Sequence, residues 1–351
     1  MRVGAVRLLA MWLIASACSE GVSASLEDSG APEPDASVAA GCFDFEPDGP
    51  GERVAGFCSR RIDSDLDGEI DIETFYQYED GLLVQISGRD PGDPPQQTWQ
   101  YDDDGNLLVH QGFGSDEELR WSETYSYDSA GNALTWAQDL DGDGSDDKLE
   151  AYGYACFDAD DEKHPGACTI DYDHEADGEI DATTMRAWED GLLMEETSLA
   201  AGSTAEPVMR TYRYDDDGQL LTIDIDSNGD GEADDRLGND YDRDGNLVRD
   251  WYDSGADGTL DLKVEYAHDA EGHVVAHSHY RGEDLVHSVV LERDGDGNIV
   301  RETSIEHDGD DEDISVQVSR FDGDGNLLAR AVDSSGDGRY DSCERFTYEC
   351  W

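Results

Sequence analysis

From about residue 58 onward, apolar and polar positions alternate in short runs, and each run ends in a cluster of Asp and Gly. Tyr125 and Tyr127, or Tyr212 and Tyr214, are separated by one polar residue. That spacing puts both rings on one face of an extended segment. Glu232 to Tyr241 and Leu247 to Tyr252 read the same way. No stretch sustains a helical period, so the pattern predicts an all-β chain of strands bounded by turns.

The turns are of two alternating kinds. The first is D-x-x-x-D-G-x-x-D, beginning at Asp63, Asp139, Asp173, Asp226, Asp253 and Asp333. Seven residues beyond its last Asp comes a slot held by Tyr78, Tyr154, Trp188, Tyr241, His268 and Tyr348. The second turn, Y-D-x-x-G-N-L in its fuller form, runs Tyr101–Leu107, Tyr241–Leu247 and Phe321–Leu327, with variants headed by Tyr127, Tyr214 and Arg293. Its D-G-N tolerates the positive φ that tight hairpins require. Taken as a ruler, this turn marks about eleven two-strand units with a period near 27 residues, hence about twenty-two strands. Tandem two-strand repeats of this kind predict a long curled antiparallel meander; shell, barrel and propeller forms all satisfy the pattern.

A larger duplication divides the repeats into blocks at 42–155 and 156–351, each opened by Cys-Phe-Asp (Cys42, Cys156). Cys58 and Cys168 each lie five residues before an acidic loop. Cys42–Cys58 and Cys156–Cys168 are therefore expected as local clamps, which leaves Cys343 for Cys350. Seven extended residues span about 23 Å, so the last pairing requires the C-terminal strand to bend.

Charge changes the picture next. The formal net charge is −63, and lysine occurs only at positions 148, 163 and 263. Repulsion makes nucleic acid and anionic membrane surfaces poor partners. Such acidity reflects either bound divalent cations or salt adaptation. Ion sites need acids clustered at fixed spacing, whereas salt adaptation spreads them. Here they are clustered.

In Asp63-Ser64-Asp65-Leu66-Asp67-Gly68-Glu69-Ile70-Asp71, carboxylates fall at loop positions one, three, five and nine, with glycine at six. Calcium takes six to eight hard oxygens, and this spacing lets a short loop wrap one ion, with the carbonyl of Glu69 as a further ligand. The candidate ligands elsewhere are Asp139, Asp141, Asp143 and Asp147; Asp173, Glu175, Asp177 and Asp181; Asp226, Asn228, Asp230 and Asp234; Asp253, Asp257 and Asp261; and Asp333, Asp337 and Asp341. Gly255 and Ser335 occupy position three of the last two loops, which are expected to be weakest. The spacing is similar to the D-x-D-x-D-G-x-x-D hairpin loops of integrin-type propeller repeats. The Glu at position twelve of an EF-hand is replaced here by Thr74.

The repeats also resemble the RHS/YD-repeat family, on Trp99 to Leu107, Tyr125 to Asn132, Tyr212 to Leu220 and Phe321 to Leu327. That resemblance implies a curled β-sheet shell and a surface or delivery role. The period here is longer than that family's, acidic loops are interpolated, and no C-terminal toxin domain is recognisable.

At the N-terminus, Arg2 and Arg7 precede a short apolar run from Leu8 to Ala17, which reads as a signal peptide over 1–17. Ala15-Ser16-Ala17-Cys18 resembles a bacterial lipobox, which implies acylation of Cys18; residues 18–41 then form a tether too poor in large apolar groups to fold. The expected location is the outer membrane or cell surface, or, without the lipid, secretion. Five histidines lie between His268 and His287. His277 and His279 share a strand face, a geometry open to a transition metal but commoner as plain solvated surface. No nucleophile or phosphate-loop motif occurs. The expected function is non-catalytic: a calcium-stabilised β-repeat surface lipoprotein for adhesion, recognition or envelope structure, whose partners are the membrane through its anchor and an extracellular protein or glycan. A carbohydrate- or peptide-binding module using exposed aromatics is the alternative, and a glycan-active enzyme the next. Oligomeric state is not encoded.

Overall fold

The computed structural model describes residues 52–53, 58–88, 93–154, 167–309 and 311–350. The signal peptide, Cys18, the tether, Cys42 and Cys156 lie outside the described residues. No helix among the described residues is long and apolar enough to cross a membrane.

The chain is all-β. After β1 (Glu52–Arg53) come β2 (Ser59–Asp63), β3 (Ile72–Glu79), β4 (Leu82–Gly88), β5 (Pro95–Tyr101), β6 (Leu107–Phe113), β7 (Leu119–Tyr127) and β8 (Ala133–Asp139). The middle third is β9 (Lys148–Gly153), β10 (Thr169–Asp173), β11 (Ala182–Glu189), β12 (Leu192–Ala200), β13 (Val208–Tyr214), β14 (Leu220–Asp226), β15 (Asp235–Tyr241) and β16 (Leu247–Ser254). The last are β17 (Leu262–His268), β18 (Val274–Arg281), β19 (Asp284–Arg293), β20 (Ile299–Asp308), β21 (Asp311–Phe321), β22 (Leu327–Asp333), β23 (Ser342–Thr347) and β24 (Glu349–Cys350). Strands β2 to β23 form one antiparallel meander, and β2 pairs β23, so the sheet closes into a barrel. β9 and β10 pair across the boundary between the two sequence blocks. β1 and β24 make a separate two-stranded pair.

Closure is local in geometry and remote in sequence. Ser59 faces Thr347 and Asp63 faces Cys343. The two hydroxyls of Ser59 and Thr347 lie 2.8 Å apart, and Arg60 meets Glu344 at 2.5 Å. A buried apolar cluster sits at this seam: Ala329, Ala331, Tyr340 and Cys343 are buried, with Leu66 and Val318 against them. Cys58, Cys168 and Cys343 are each disulfide-bonded.

The Y-D-x-x-G-N turn is explained by its own hydrogen bonds. In Asp102–Asn106 one Asp102 oxygen accepts the N–H groups of Asp104 and Asn106, and the other accepts the Asn106 amide at 2.9 Å. The same Asn-to-Asp amide bond recurs at 128/132, 242/246, 294/298 and 322/326. Gly105 carries the positive φ of 85° that the turn needs. The preceding aromatic follows a β-bulge, as at Gln100/Tyr101 and Asp240/Tyr241. Its hydroxyl reaches back to the previous unit: Tyr101 donates to Leu83 O, Tyr127 to Leu107 O, Tyr214 to Leu193 O and Tyr241 to Leu220 O, at 2.9–3.2 Å. Arg293, which stands where the others have tyrosine, donates to Val274 O at 3.4 Å. The aromatic slot is thus a stitch between neighbouring hairpins.

Pairing register sorts the side chains to two faces of the wall. Trp99, His110, Trp121 and Tyr125 share one face through their cross-strand pairs. Small residues such as Ser87, Ala137 and Ala331 lie on the other. The first Asp of every acidic loop lies on that second face too.

Candidate functional site: an acidic rim

In an up-and-down barrel, connections leaving even-numbered strands all emerge at one end. The six acidic loops join β2 to β3, β8 to β9, β10 to β11, β14 to β15, β16 to β17 and β22 to β23. They therefore crown a single rim, and the Y-D turns, which leave odd-numbered strands, crown the other. Alternation of the two turn types in sequence becomes separation by the length of the barrel in space.

All six loops share one backbone plan. The first Asp is buried, between 1 and 9 % exposed: Asp63, Asp139, Asp173, Asp226, Asp253 and Asp333. One of its oxygens accepts the N–H of the glycine at position six, at 2.8–3.1 Å. The Asp at position five caps the N–H at position seven, as Asp67 does for Glu69 at 2.8 Å. The Asp at position nine accepts the N–H at position two, as Asp71 does from Ser64 at 2.8 Å. The motif therefore encodes a turn as well as a set of carboxylates.

Position four carries a feature the motif did not reveal. It too adopts the left-handed conformation, with φ of 58° at Leu66, 47° at Ala176 and 46° at Ala256, while Gly142, Gly229 and Gly336 fill it elsewhere. Leu66 is compensated by its packing at the barrel seam. Ala256 has no such role, and a non-glycine residue in this region costs about 1 kcal/mol. The variant Ala256→Gly is expected to be more stable by about 0.5–1 kcal/mol, read as a higher urea midpoint at unchanged slope; an unchanged or lower midpoint contradicts the strain.

The six loops divide by position three. In the loop at 63, Asp63, Asp65 and Asp71 each bring an oxygen within 4.8 Å of the others, and in the loop at 139, Asp139, Asp141 and Asp147 do the same. In the other four loops no such group of three carboxylates forms. Asn228 turns its amide nitrogen onto Asp234, at 2.9 and 3.2 Å from the two oxygens. Ser335 donates its hydroxyl to Asp333 at 3.3 Å, while Ser334 bonds Asp341 as Ser64 bonds Asp71 in the loop at 63. His174 approaches Asp181 at 3.5 Å, with Glu175 exposed beside it. Gly255 offers no side chain, and its N–H goes to Asp235. Six loops share the spacing, but the carboxylates at one, three and nine converge in two. Asp67, Glu69, Asp143, Asp177, Asp230, Asp257, Asp261 and Asp337 hold their expected places in the turns without joining such a group.

The first Asp sets the loop at 63 apart from the other five. Asp139, Asp226 and Asp333 use their second oxygen on the N–H of the glycine at position four, at 2.6–2.8 Å. Asp173 and Asp253 use it on the N–H at position five, at 3.1 Å. Asp63 does neither: its Oδ1 is buried and has no hydrogen-bond partner. A buried carboxylate oxygen left unpaired costs several kcal/mol, and a cation between Asp63, Asp65 and Asp71 would supply what it lacks. The donor set is hard oxygen throughout, which fits a divalent hard cation.

No protein-family model matches the sequence, and no curated protein matches it. Solved structures resemble it in chain course. The TcdB2-TccC3-Cdc42 crystal structure is 14% identical, with 80% of this chain and 18% of that chain covered, at a TM-score of 0.32. A Photorhabdus luminescens Tc holotoxin pore is 14% identical over 81% of this chain and 18% of its own, at 0.31. A porin-like protein from Bacteroides uniformis is 9% identical over 84% of this chain and 98% of its own, at 0.30. The chain thus spans under a fifth of the toxin chains it resembles.

Proposed function

We propose that this chain is a non-catalytic, calcium-stabilised β-repeat scaffold, exported and held at the cell exterior by a lipid on Cys18, where it serves adhesion, recognition or envelope structure. The observation that carries the calcium assignment is the buried, unpartnered Oδ1 of Asp63 beside Asp65 and Asp71. Asp63, Asp65 and Asp71 would hold one ion, and Asp139, Asp141 and Asp147 a second. Bound calcium would neutralise carboxylates that otherwise repel one another within a single turn. Magnesium fits less well, because it demands a stricter octahedron. Among the described residues every large exposed apolar side chain is aliphatic, and the aromatics are half-buried or buried. That weighs against a glycan-stacking groove and favours the scaffold.

The test is calcium binding by calorimetry at fixed ionic strength. Two tight equivalents per chain are expected, one lost in Asp65→Asn and the other in Asp141→Asn. Weak binding without stoichiometry, unchanged in both variants, would transfer the acidity to salt adaptation.

A further inference from the structure

The wall between β18 and β20 carries a group of histidines that the acidic loops do not use. His279 of β18 faces His287 of β19 directly across the ladder, and His277 lies two residues from His279 on the same face. Ring centroids are 5.1 Å apart for His277–His279 and for His279–His287, and 6.3 Å for His277–His287. His277 Nδ1 lies 3.0 Å from His279 Nε2. Two imidazole nitrogens at that distance share one proton, so both rings cannot be cationic. A tetrahedral ion with metal–nitrogen bonds of about 2.0–2.1 Å sets its nitrogen ligands about 3.3 Å apart. The pair already stands near that spacing.

We propose that His277, His279 and His287 form a three-imidazole site for a divalent transition ion of the zinc class. The three rings as they stand do not bring one nitrogen each within 4.8 Å of the others, so His287 supplies the third corner by pivoting on its Ser304 contact toward the pair. Its Nε2 sits 2.7 Å from Ser304 Oγ, the kind of outer partner that orients a ligating imidazole and leaves the other ring nitrogen for the metal. Glu306 lies 3.9 Å from the same nitrogen. Glu302 and Asp250 also act on the group electrostatically, so its surroundings favour a dication. Burial, then the neighbouring imidazoles, hold His277 below the ordinary histidine range; burial and His287 do the same for His279.

The location gives the site a structural context. The β18–β19 turn, Gly282–Glu283, is at the rim that bears the acidic loops, yet it carries no nine-residue loop. Imidazole nitrogens select zinc over calcium, whereas the acidic loops offer oxygen alone. The rim would then hold two chemically distinct cations.

The experiment uses the untagged full chain in excess calcium, which occupies the oxygen sites. Zinc is titrated by calorimetry, and cobalt(II) by visible absorption. One zinc per chain and the intense visible bands of tetrahedral cobalt are expected. Both are lost in His279→Ala and in His279→Gln, with calcium binding and the circular dichroism unchanged. Ser304→Ala weakens zinc about tenfold. His273→Ala, which alters a Y-D turn where His273 meets Asp269 at 3.2 Å, changes nothing. Zinc bound equally by the parent and both His279 variants, or no zinc bound above the calcium background, overturns the site.

Discussion

Stripping calcium with EGTA at pH 7 is expected to lower the melting temperature by about 10 °C. Two sites, each saturated at a hundredfold excess over its dissociation constant, contribute about 2.7 kcal/mol apiece. For a domain of this size about 5 kcal/mol moves the midpoint by roughly 10 °C. Readdition of calcium restores the midpoint; potassium chloride at equal ionic strength does not. Restoration by potassium chloride alone would show that screening of the −63 net charge, and not ion binding, stabilises the barrel. The effect depends on pH with a definite sign. Asp71 is held below the ordinary carboxylate value of 3.8 by the Ser64 hydroxyl and N–H, Asp234 by Ser227 and Asp341 by Ser334. At Asp139 burial pushes upward, but the N–H groups of Gly144 and Gly142 outweigh it. These folded values lie below the unfolded ones, so their stabilisation is complete above about pH 4 and is lost as pH falls through the lower folded values. Calcium and protons compete for the same oxygens, so the calcium increment also vanishes over that window.

The second large effect is expected from Asp333→Ala. Asp333 is 1 % exposed and accepts the N–H groups of Gly338 at 2.9 Å, Gly336 at 2.8 Å and Ser335 at 3.3 Å. Removing the carboxylate leaves buried donors unpaired beside the barrel seam, at about 3 kcal/mol. Asp333→Asn keeps one acceptor and is expected to lose roughly half of that. Asp216→Ala, an exposed acid in a Y-D turn, is expected to stay within about 0.5 kcal/mol of the parent. Denaturant unfolding of the three variants in EGTA isolates the turn from the ion. Equal midpoints for Asp333→Ala and Asp216→Ala would mean that the first Asp serves only as a ligand.

The two results separate the roles that one motif combines. Asp333 spends its Oδ1 on Ser335 and the Gly336 N–H, so there the Asp is a turn-former. Asp63 sits in a loop where the same residue keeps an oxygen unpaired. The sequence places an Asp at both positions with equal emphasis, and only the position-four and position-three neighbours distinguish them: Leu66 and Asp65 against Gly336 and Ser335.

Much of the molecule is encoded locally. Period-two alternation, the D-G-N turns and the acidic loops are each read within a few residues, because strand exposure and positive φ are properties of short segments. They determine the all-β class, the order of the hairpins and the two turn types. The bulge and the tyrosine stitch lie just beyond that reach: the aromatic slot is visible as a repeat, but its hydrogen bond to the previous unit is not. Closure lies far beyond it. Nothing in Ser59–Asp63 or Ser342–Thr347 differs in pattern from any interior strand, and their pairing is decided by where the accumulated twist of the wall brings the last strand. Closure also gives Leu66 and Tyr340 a common neighbour, while hairpin register sets His287 opposite His279. The sequence by itself determined what each turn is; the tertiary structure decided which carboxylates converge, because an ion site depends on distances between side chains that spacing along the chain only bounds.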